Sequence, residues 1–328
     1  MPRLRFGLHL PSYSFAGSPA TTASTLSTIA AAAEEAGFGS LWVMDHFRQI
    51  PHVGRPWEDM LEAYTTLGYL AGQTRHARLG TLVTGITYRN IGLVAKLVAT
   101  LDVLSAGRAV CGLGAAWHED EHRAWGWDFP SAPDRFALLE DALEALPTLW
   151  GKGSPPFSGR AVDLPETLCY PRPLQGRVPV LVGGSGERRT LALVARHADA
   201  CNLFGDPKQV RHKLEVLREH CSRFGRDPAE VQVTHLSTSL VAASDDELAL
   251  AAGAITPRNG DPARVARRSG GRTTDGAVAR YAALAEAGVE TAIVSLADLA
   301  RDPERDPADA VHRFAPVIGA FDPTDRAF

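Results

Sequence analysis

The 328-residue chain is 45% hydrophobic and 22% charged, with a net charge of -4 at neutral pH, the balance of an ordinary globular protein. Together with a pI near 6.3, this gives no basic footprint for nucleic acid or an anionic membrane. No apolar run is long enough to span a bilayer, and Met1-Pro2-Arg3-Leu4-Arg5-Phe6-Gly7 has no secretory apolar core. Cys111, Cys169, Cys201 and Cys221 form no CxxC pair, so a cytoplasmic location with reduced thiols is the simple reading.

Strands and helices alternate along the chain. Leu4–Leu10 reads as strand one and stops at Pro11; Leu26–Ala36 is helical and stops at Gly37. Ser40–Met44 is strand two, followed by Asp45-His46. Met60, Leu61, Tyr64, Leu67, Leu70 and Ala71 recur at helical spacing. Strand three opens the run from Leu79 to Asn90 and feeds a helix carrying Leu93, Val94, Leu97, Val98, Leu101 and Leu104. Arg108–Gly114 is strand four.

An excursion over 117–178 follows. It holds His118-Glu119-Asp120-Glu121-His122, a helix from the cap at Ser131 to about Trp150, and a proline- and glycine-rich stretch with a short hairpin near Gly159. Val178–Val182 is strand five, leading through Gly183-Gly184-Ser185-Gly186 to a helix bearing Arg188 and Arg189. Ala200–Phe204 is strand six, Asp206-Pro207 caps a helix, and Val231–Ala242 is strand seven. Residues 254–275 read as an irregular, mobile loop. Ala277–Ala287 is helical, Thr291–Leu296 is strand eight, and Asp306-Pro307 opens the last helix. Eight strands with intervening helices suggest a single (β/α)8 TIM-barrel domain over 1–328, with insertions in its βα loops. A doubly wound sheet is the alternative.

Ligands of such folds gather at the carboxyl ends of the strands. The Leu79–Asn90 run therefore reads as one wall of a pocket, its glycines allowing backbone to approach a flat ligand.

The motifs then add up. Trp42-Val43-Met44-Asp45-His46-Phe47, Leu79–Thr84 with Thr87-Tyr88-Arg89, Gly112–Trp117 with Glu121–Gly126, and Val180–Gly184 occur in this order. Ala198–Asn202 and Glu286–Val289 extend the match. Over nearly its whole length the chain resembles the luciferase-like monooxygenase superfamily, in particular its branch dependent on the deazaflavin coenzyme F420. The resemblance implies a TIM barrel, usually homodimeric. It also implies a non-proline cis peptide at Leu82–Val83, bulging behind the cofactor ring. Asp45 and His46 match the pair contacting that ring, with His46 able to move a proton. Thr84 is expected among the cofactor-binding residues of that wall, and Gly114, Ala116 and Trp117 match the wall after strand four. Gly183, Gly184, Ser185 and Gly186 precede a helix, so their amides suit a phosphate. One departure matters. In sugar-phosphate-oxidising relatives a catalytic glutamate occupies the place of Trp117, and a tryptophan falls near Ile50. Their absence argues against glucose 6-phosphate as substrate.

Each signal has a plainer reading. His118–His122 spells HExxH, a zinc-protease pattern, but it follows a strand directly and its two intervening residues are acidic; charged-loop packing is preferred, with Trp117 or Trp125 facing substrate, and no metal is expected. His46 could instead be a strand-end histidine bonded to a carboxylate. His9 and His235 could line the pocket or be satisfied core residues. Arg188 and Arg189 could pair a phosphate or simply be solvated. Asn202 could reach the ligand, and the cysteines read as strand or helix fillers. Gly112-Leu113-Gly114 starts like a dinucleotide fingerprint, but Trp117 replaces its third glycine. Tyr13, Phe15, Trp57, Trp117 and Trp125 suggest an apolar entrance.

The expectation is an F420-dependent oxidoreductase moving a hydride between deazaflavin and a small organic substrate. The alternatives are a two-component FMN-dependent monooxygenase of the same fold, served by a separate flavin or F420 reductase, and a non-catalytic flavin-binding protein.

Overall fold

The computed structural model describes residues 3–301 and 305–322. Eight parallel strands form the centre: β1 (Arg5–Leu10), β2 (Ser40–Val43), β3 (Arg78–Thr81), β4 (Ala109–Gly114), β5 (Val180–Gly183), β6 (Ala200–Leu203), β7 (Gln232–Ala242) and β8 (Thr291–Leu296). Each pairs with the next, and β8 also pairs with β1 through Arg5↔Thr291 to Leu8↔Val294. The sheet is therefore a closed barrel, and the doubly wound alternative is excluded.

Helices α1 (Thr22–Ala36), α2 (Ala63–Gln73), α3 (Ile91–Leu104), α4 (Glu119–Trp125), α5 (Ala132–Trp150), α6 (Thr190–His197), α7 (Pro207–Phe224), α8 (Asp245–Ala254), α9 (Pro262–Arg268), α10 (Thr274–Glu286) and α11 (Asp309–Ile318) complete the fold. Local chemistry sets several of their ends. Asp206 and Gln209 form a reciprocal capping box at α7, and Ser131 caps α5. Gly37 ends α1 in the left-handed conformation, at φ 92°.

Alternation puts two sets of residues on opposite sides of the barrel wall. Phe6 faces the helices, making edge contacts with Tyr281, Phe314 and Phe321. Trp42 points inward and fills the barrel at the level of two glycines. A Cβ on Gly7 or on Gly80 would lie 2.8 Å from the indole. Trp42, Val110, Leu181, Ala200 and Ile293 form this inner plug, and Leu82, Val83 and Leu236 pack on it. The plug is the floor on which the site is built.

The stretch 254–275 departs from expectation. It contains α9, capped by Asp261, and a strand, Gly271–Thr273, parallel to the end of β7. Pro262 begins the helix. Gly270, at φ +65°, passes so close to β7 that a Cβ would lie 2.4 Å from the Thr238 carbonyl. In the excursion, Phe157–Ser158 and Asp163–Leu164 form the expected hairpin. Buried Asp141 of α5 anchors it by accepting the amides of Arg160, Ala161 and Val162 at 2.5–3.1 Å.

Candidate active site

Beyond the inner plug, at the carboxyl ends of the strands, lies a cavity of about 370 Å3. Asp45, His46, Leu82, Val83, Gly114, Ala116, Trp117, Gly183, Gly184 and Ser185 all line it, joined by Asn202. The residues singled out in sequence thus converge from the ends of β2 to β6.

One wall is main chain. β3 ends at Thr81, the Leu82–Val83 peptide is cis, and Thr84–Gly85 resumes as a short strand on β4. Val83 is seated against glycines of two neighbouring strands. A Cβ on Gly114 would lie 2.7 Å from Val83 Cγ2, and one on Gly183 would lie 2.8 Å from it. Those positions need hydrogen because a valine occupies the space a methyl would take. Thr84 is the exception among the expected site residues. It is fully buried, with its hydroxyl 2.8 Å from Tyr64 Oη and 2.9 Å from Thr81 Oγ1. It braces the wall from behind and does not line the cavity.

A second side is a hydrogen-bonded cluster. His46 Nδ1 lies 2.9 Å from Glu121 Oε2. Tyr88 Oη donates a short hydrogen bond to the same oxygen. The amides of Phe47 and Arg48 donate to Glu121 Oε1 at 2.7 and 3.0 Å. Burial alone would raise the Glu121 carboxyl, but the hydrogen bonds from His46, Tyr88 and Phe47 outweigh it and hold the group below its ordinary range. Burial and the Glu121 charge push the Tyr88 phenol far up, so it stays protonated. His46 thus lines the cavity and is bonded to a carboxylate.

Asp45 is placed differently from a simple ring contact. Its carboxylate is fully buried and engaged by Arg89 at 2.6 and 2.9 Å, and Arg89 also reaches Glu62 at 2.6 Å. Burial raises the Asp45 carboxyl despite Arg89. The pair tethers the exit of β2 to the turn before α3.

The third side is glycine-rich. Gly183, Gly184, Ser185 and Gly186 run along the cavity, and α6 starts one turn later at Thr190, which also lines it. Gly184 sits at φ +118°, a conformation that costs other residues dearly. Arg188 and Arg189 do not line the cavity; Arg189 lies over the Phe136 ring instead. The cation that does is Arg135, which sequence reasoning missed. Its Nη1 donates to the carbonyls of Ala116 and Ala115 at 2.6 and 3.3 Å, while its Nε is buried without a partner. These features fit a flat ring with a phosphate-bearing tail: an apolar main-chain wall, a glycine-lined run of amides, and a guanidinium lining the same cavity.

Other candidates fall elsewhere. The HExxH residues are used within the protein. His122 is fully buried, with Nε2 2.7 Å from Thr87 Oγ1 and Nδ1 donating to the His118 carbonyl. Its ring stacks on Tyr88 at 4.8 Å. His9 bonds Ser295 inside the barrel, and burial pushes its pKa down to about 3. His235 donates to the Gly205 carbonyl. Neither lines the cavity. Of the aromatics expected at the entrance, only Trp117 does; it stacks on His118 and meets His46 edge-on. Tyr13 and Phe15 are core, Trp57 is solvent-exposed, and Trp125 stacks on Trp127. The cysteines are buried, but Cys169 lies in a loop and fills no strand or helix.

Comparison with known proteins agrees with this fold. The family model for luciferase-like monooxygenases matches residues 4–319. An F420-dependent glucose-6-phosphate dehydrogenase of Kineococcus radiotolerans is 35% identical over 212 residues, covering 64% of this chain and 61% of that protein. A phthiodiolone/phenolphthiodiolone dimycocerosates ketoreductase of a Mycobacterium species is 30% identical over 222 residues, 58% of this chain and 54% of that protein. The chain thus spans between 54% and 61% of the length of these two relatives. Among solved structures, an F420-dependent secondary alcohol dehydrogenase with an F420–acetone adduct superposes with a TM-score of 0.77 at 22% identity, covering 97% of this chain and 99% of that one. A long-chain alkane monooxygenase also gives 0.77, at 14% identity, covering 100% and 94%. With its closed barrel and a match running from residue 4 to residue 319, the chain belongs to the luciferase-like monooxygenase family.

Proposed function

We propose that the protein is an F420-dependent oxidoreductase acting on a small, uncharged organic substrate. The observation that carries this reading is that two elements line one cavity: the Leu82–Val83 wall and His46, whose Nδ1 is tied to a buried carboxylate. Bound deazaflavin would supply two-electron hydride chemistry while reacting poorly with dioxygen. Leu82, Val83, Gly114 and Ala116 would hold the ring, and Gly183, Gly184, Ser185 and Arg135 its phosphate-bearing tail. No hydrogen bond within the described residues engages His46 Nε2, which leaves that nitrogen to give or take the substrate proton that accompanies the hydride.

By the resemblance, Trp117 stands where sugar-phosphate-oxidising relatives carry an acid, and Arg135 is the one lysine or arginine among the described residues that line the cavity. With Arg135 assigned to the cofactor's tail, no second lysine or arginine among the described cavity-lining residues is left to hold a substrate phosphate. Neutral alcohols or carbonyl compounds suit this better than glucose 6-phosphate. The FMN-dependent monooxygenase reading draws support from fold neighbours such as the alkane monooxygenase, and a reductase would then be a separate partner. The protein is further proposed to be a cytoplasmic homodimer; the buried unpaired thiols fit a reducing compartment. No helix among the described residues is long and apolar enough to cross a membrane.

His46→Ala should leave the protein folded and cofactor-binding while lowering turnover about 10²- to 10⁴-fold, the usual worth of a positioned proton donor. Unchanged turnover on any accepted substrate would remove His46 from the chemistry.

A further inference from the structure

We infer that Glu121 is the positioning residue of His46, deciding which imidazole nitrogen carries the proton and which one faces the cavity. This deepens the reading of His46 as the proton-moving group and rests on it. The inference starts from a proton inventory. A carboxylate is an acceptor only, with room for about four hydrogen bonds. Glu121 is completely buried and receives four: two backbone amides on Oε1, and Tyr88 and His46 on Oε2. His46 Nδ1 must therefore donate. In the neutral ring Nε2 is then bare, ready to accept a proton, and in the charged ring it is the nitrogen that can release one.

The other groups around His46 cannot take this role. The Asp45 carboxylate is occupied by Arg89, and Arg89 also pairs Glu62. His118 lies with its ring centre 6.0 Å from that of His46, too far for a hydrogen bond. Tyr88 Oη also lies 3.4 Å from His46 Nδ1, but its proton is given to Glu121 by the much shorter contact, so Tyr88 cannot donate to the ring. Trp117 meets His46 edge-on and offers no acceptor. The contact spans 75 positions in sequence, and α4 presents Glu121 while His122, one residue on, stacks on Tyr88 and holds the phenol in place. The acidic stretch after β4, which sequence reading left as charged packing, is thereby part of the site.

The test is Glu121→Gln with histidine ¹⁵N NMR on protein free of cofactor. A glutamine side chain has one acceptor oxygen. The Phe47 and Arg48 amides claim it, so the –NH2 turns toward His46, which must then accept at Nδ1. The expected result is Nδ1–H in the wild type and Nε2–H in the variant, with the tautomer ratio shifting roughly ten- to a hundred-fold, as for loss of a hydrogen bond to a charged group. In turnover assays with F420, kcat should fall on the order of 10²- to 10⁴-fold, with KM held within about threefold because the change is expressed in the transition state. An Nε2–H tautomer in the wild type overturns the inference outright, and that measurement stands even if the variant does not fold. A flipped tautomer with unchanged kcat overturns it as well. The expected tautomers without F420 turnover by any form support the placement of Glu121 and count against the oxidoreductase reading.

Discussion

Gly114→Ala should deform the ring-facing wall while leaving His46 and Glu121 unaltered. The new Cβ would fall 2.7 Å from Val83 Cγ2, whereas the next atom, the Gly183 carbonyl oxygen, is 3.8 Å away. Carbon atoms pack best at about 3.5–4.0 Å, so the overlap is roughly an ångström and involves one methyl group. Val83 has little room to retreat along the wall, since a Cβ on Gly112 would already be 3.2 Å from its Cγ1 and one on Gly183 2.9 Å from the same atom. It must therefore move toward the cavity. Such overpacking typically costs about 1–3 kcal/mol. Part should appear as a lower urea midpoint and part as F420 affinity weakened about tenfold, each factor of ten being about 1.4 kcal/mol. Val83→Ala removes the obstructing methyls. In that background Gly114→Ala should cost less than about 0.5 kcal/mol, giving a coupling energy of about 1 kcal/mol or more in a double-mutant cycle. Urea denaturation and fluorescence-quenching titration of the four proteins provide the readouts. Additive effects of the two substitutions would refute the seating of Val83 against Gly114.

Arg89→Met should destabilise the fold by about 3–5 kcal/mol, because it leaves the Asp45 carboxylate buried and uncompensated; chemical denaturation checks this, and adding Asp45→Asn should recover much of the loss. Glu121 predicts an acid-side effect. Its folded-state pKa is held below the ordinary carboxylate value, so its contribution to stability is present above that value and is lost as pH falls through the folded pKa. Glu121→Gln should accordingly flatten the acid limb of a stability–pH curve measured by urea unfolding, and an unchanged limb would contradict the assignment. The cysteines should resist a thiol reagent in the native protein and all react in urea. Cys111 and Cys201 are fully buried, with their thiols pushed up to about 12 chiefly by burial. Rapid native labelling at either position would contradict their placement.

The barrel was legible because each strand is a short apolar run closed by punctuation, such as Pro11 after β1 or Gly37 before β2. Gly7 and Gly80 were less legible, since what they accommodate is Trp42 on the strand between them. Thr84 was expected at the cofactor, but Thr84–Gly85 is a separate short strand on β4 and its hydroxyl is engaged by Tyr64 and Thr81. Glu121 and Tyr88 sat inside recognised motifs, yet their joint role depends on contacts 33 and 75 positions apart that no local period encodes. The signal that was available was an acidic residue in the first turn of a helix directly after a barrel strand. Arg135 gave no such signal. Helical spacing says which face of α5 it occupies but not that it reaches back to the Ala115 and Ala116 carbonyls.

Parallel fluorescence titration of the purified protein with F420 and with FMN separates a deazaflavin site from a flavin site. F420 should bind in the micromolar range or tighter, more strongly than FMN, and Gly114→Ala should weaken it. Micromolar FMN binding with no F420 binding would contradict the deazaflavin assignment, and binding of neither would contradict the presence of a redox ring against Leu82–Val83.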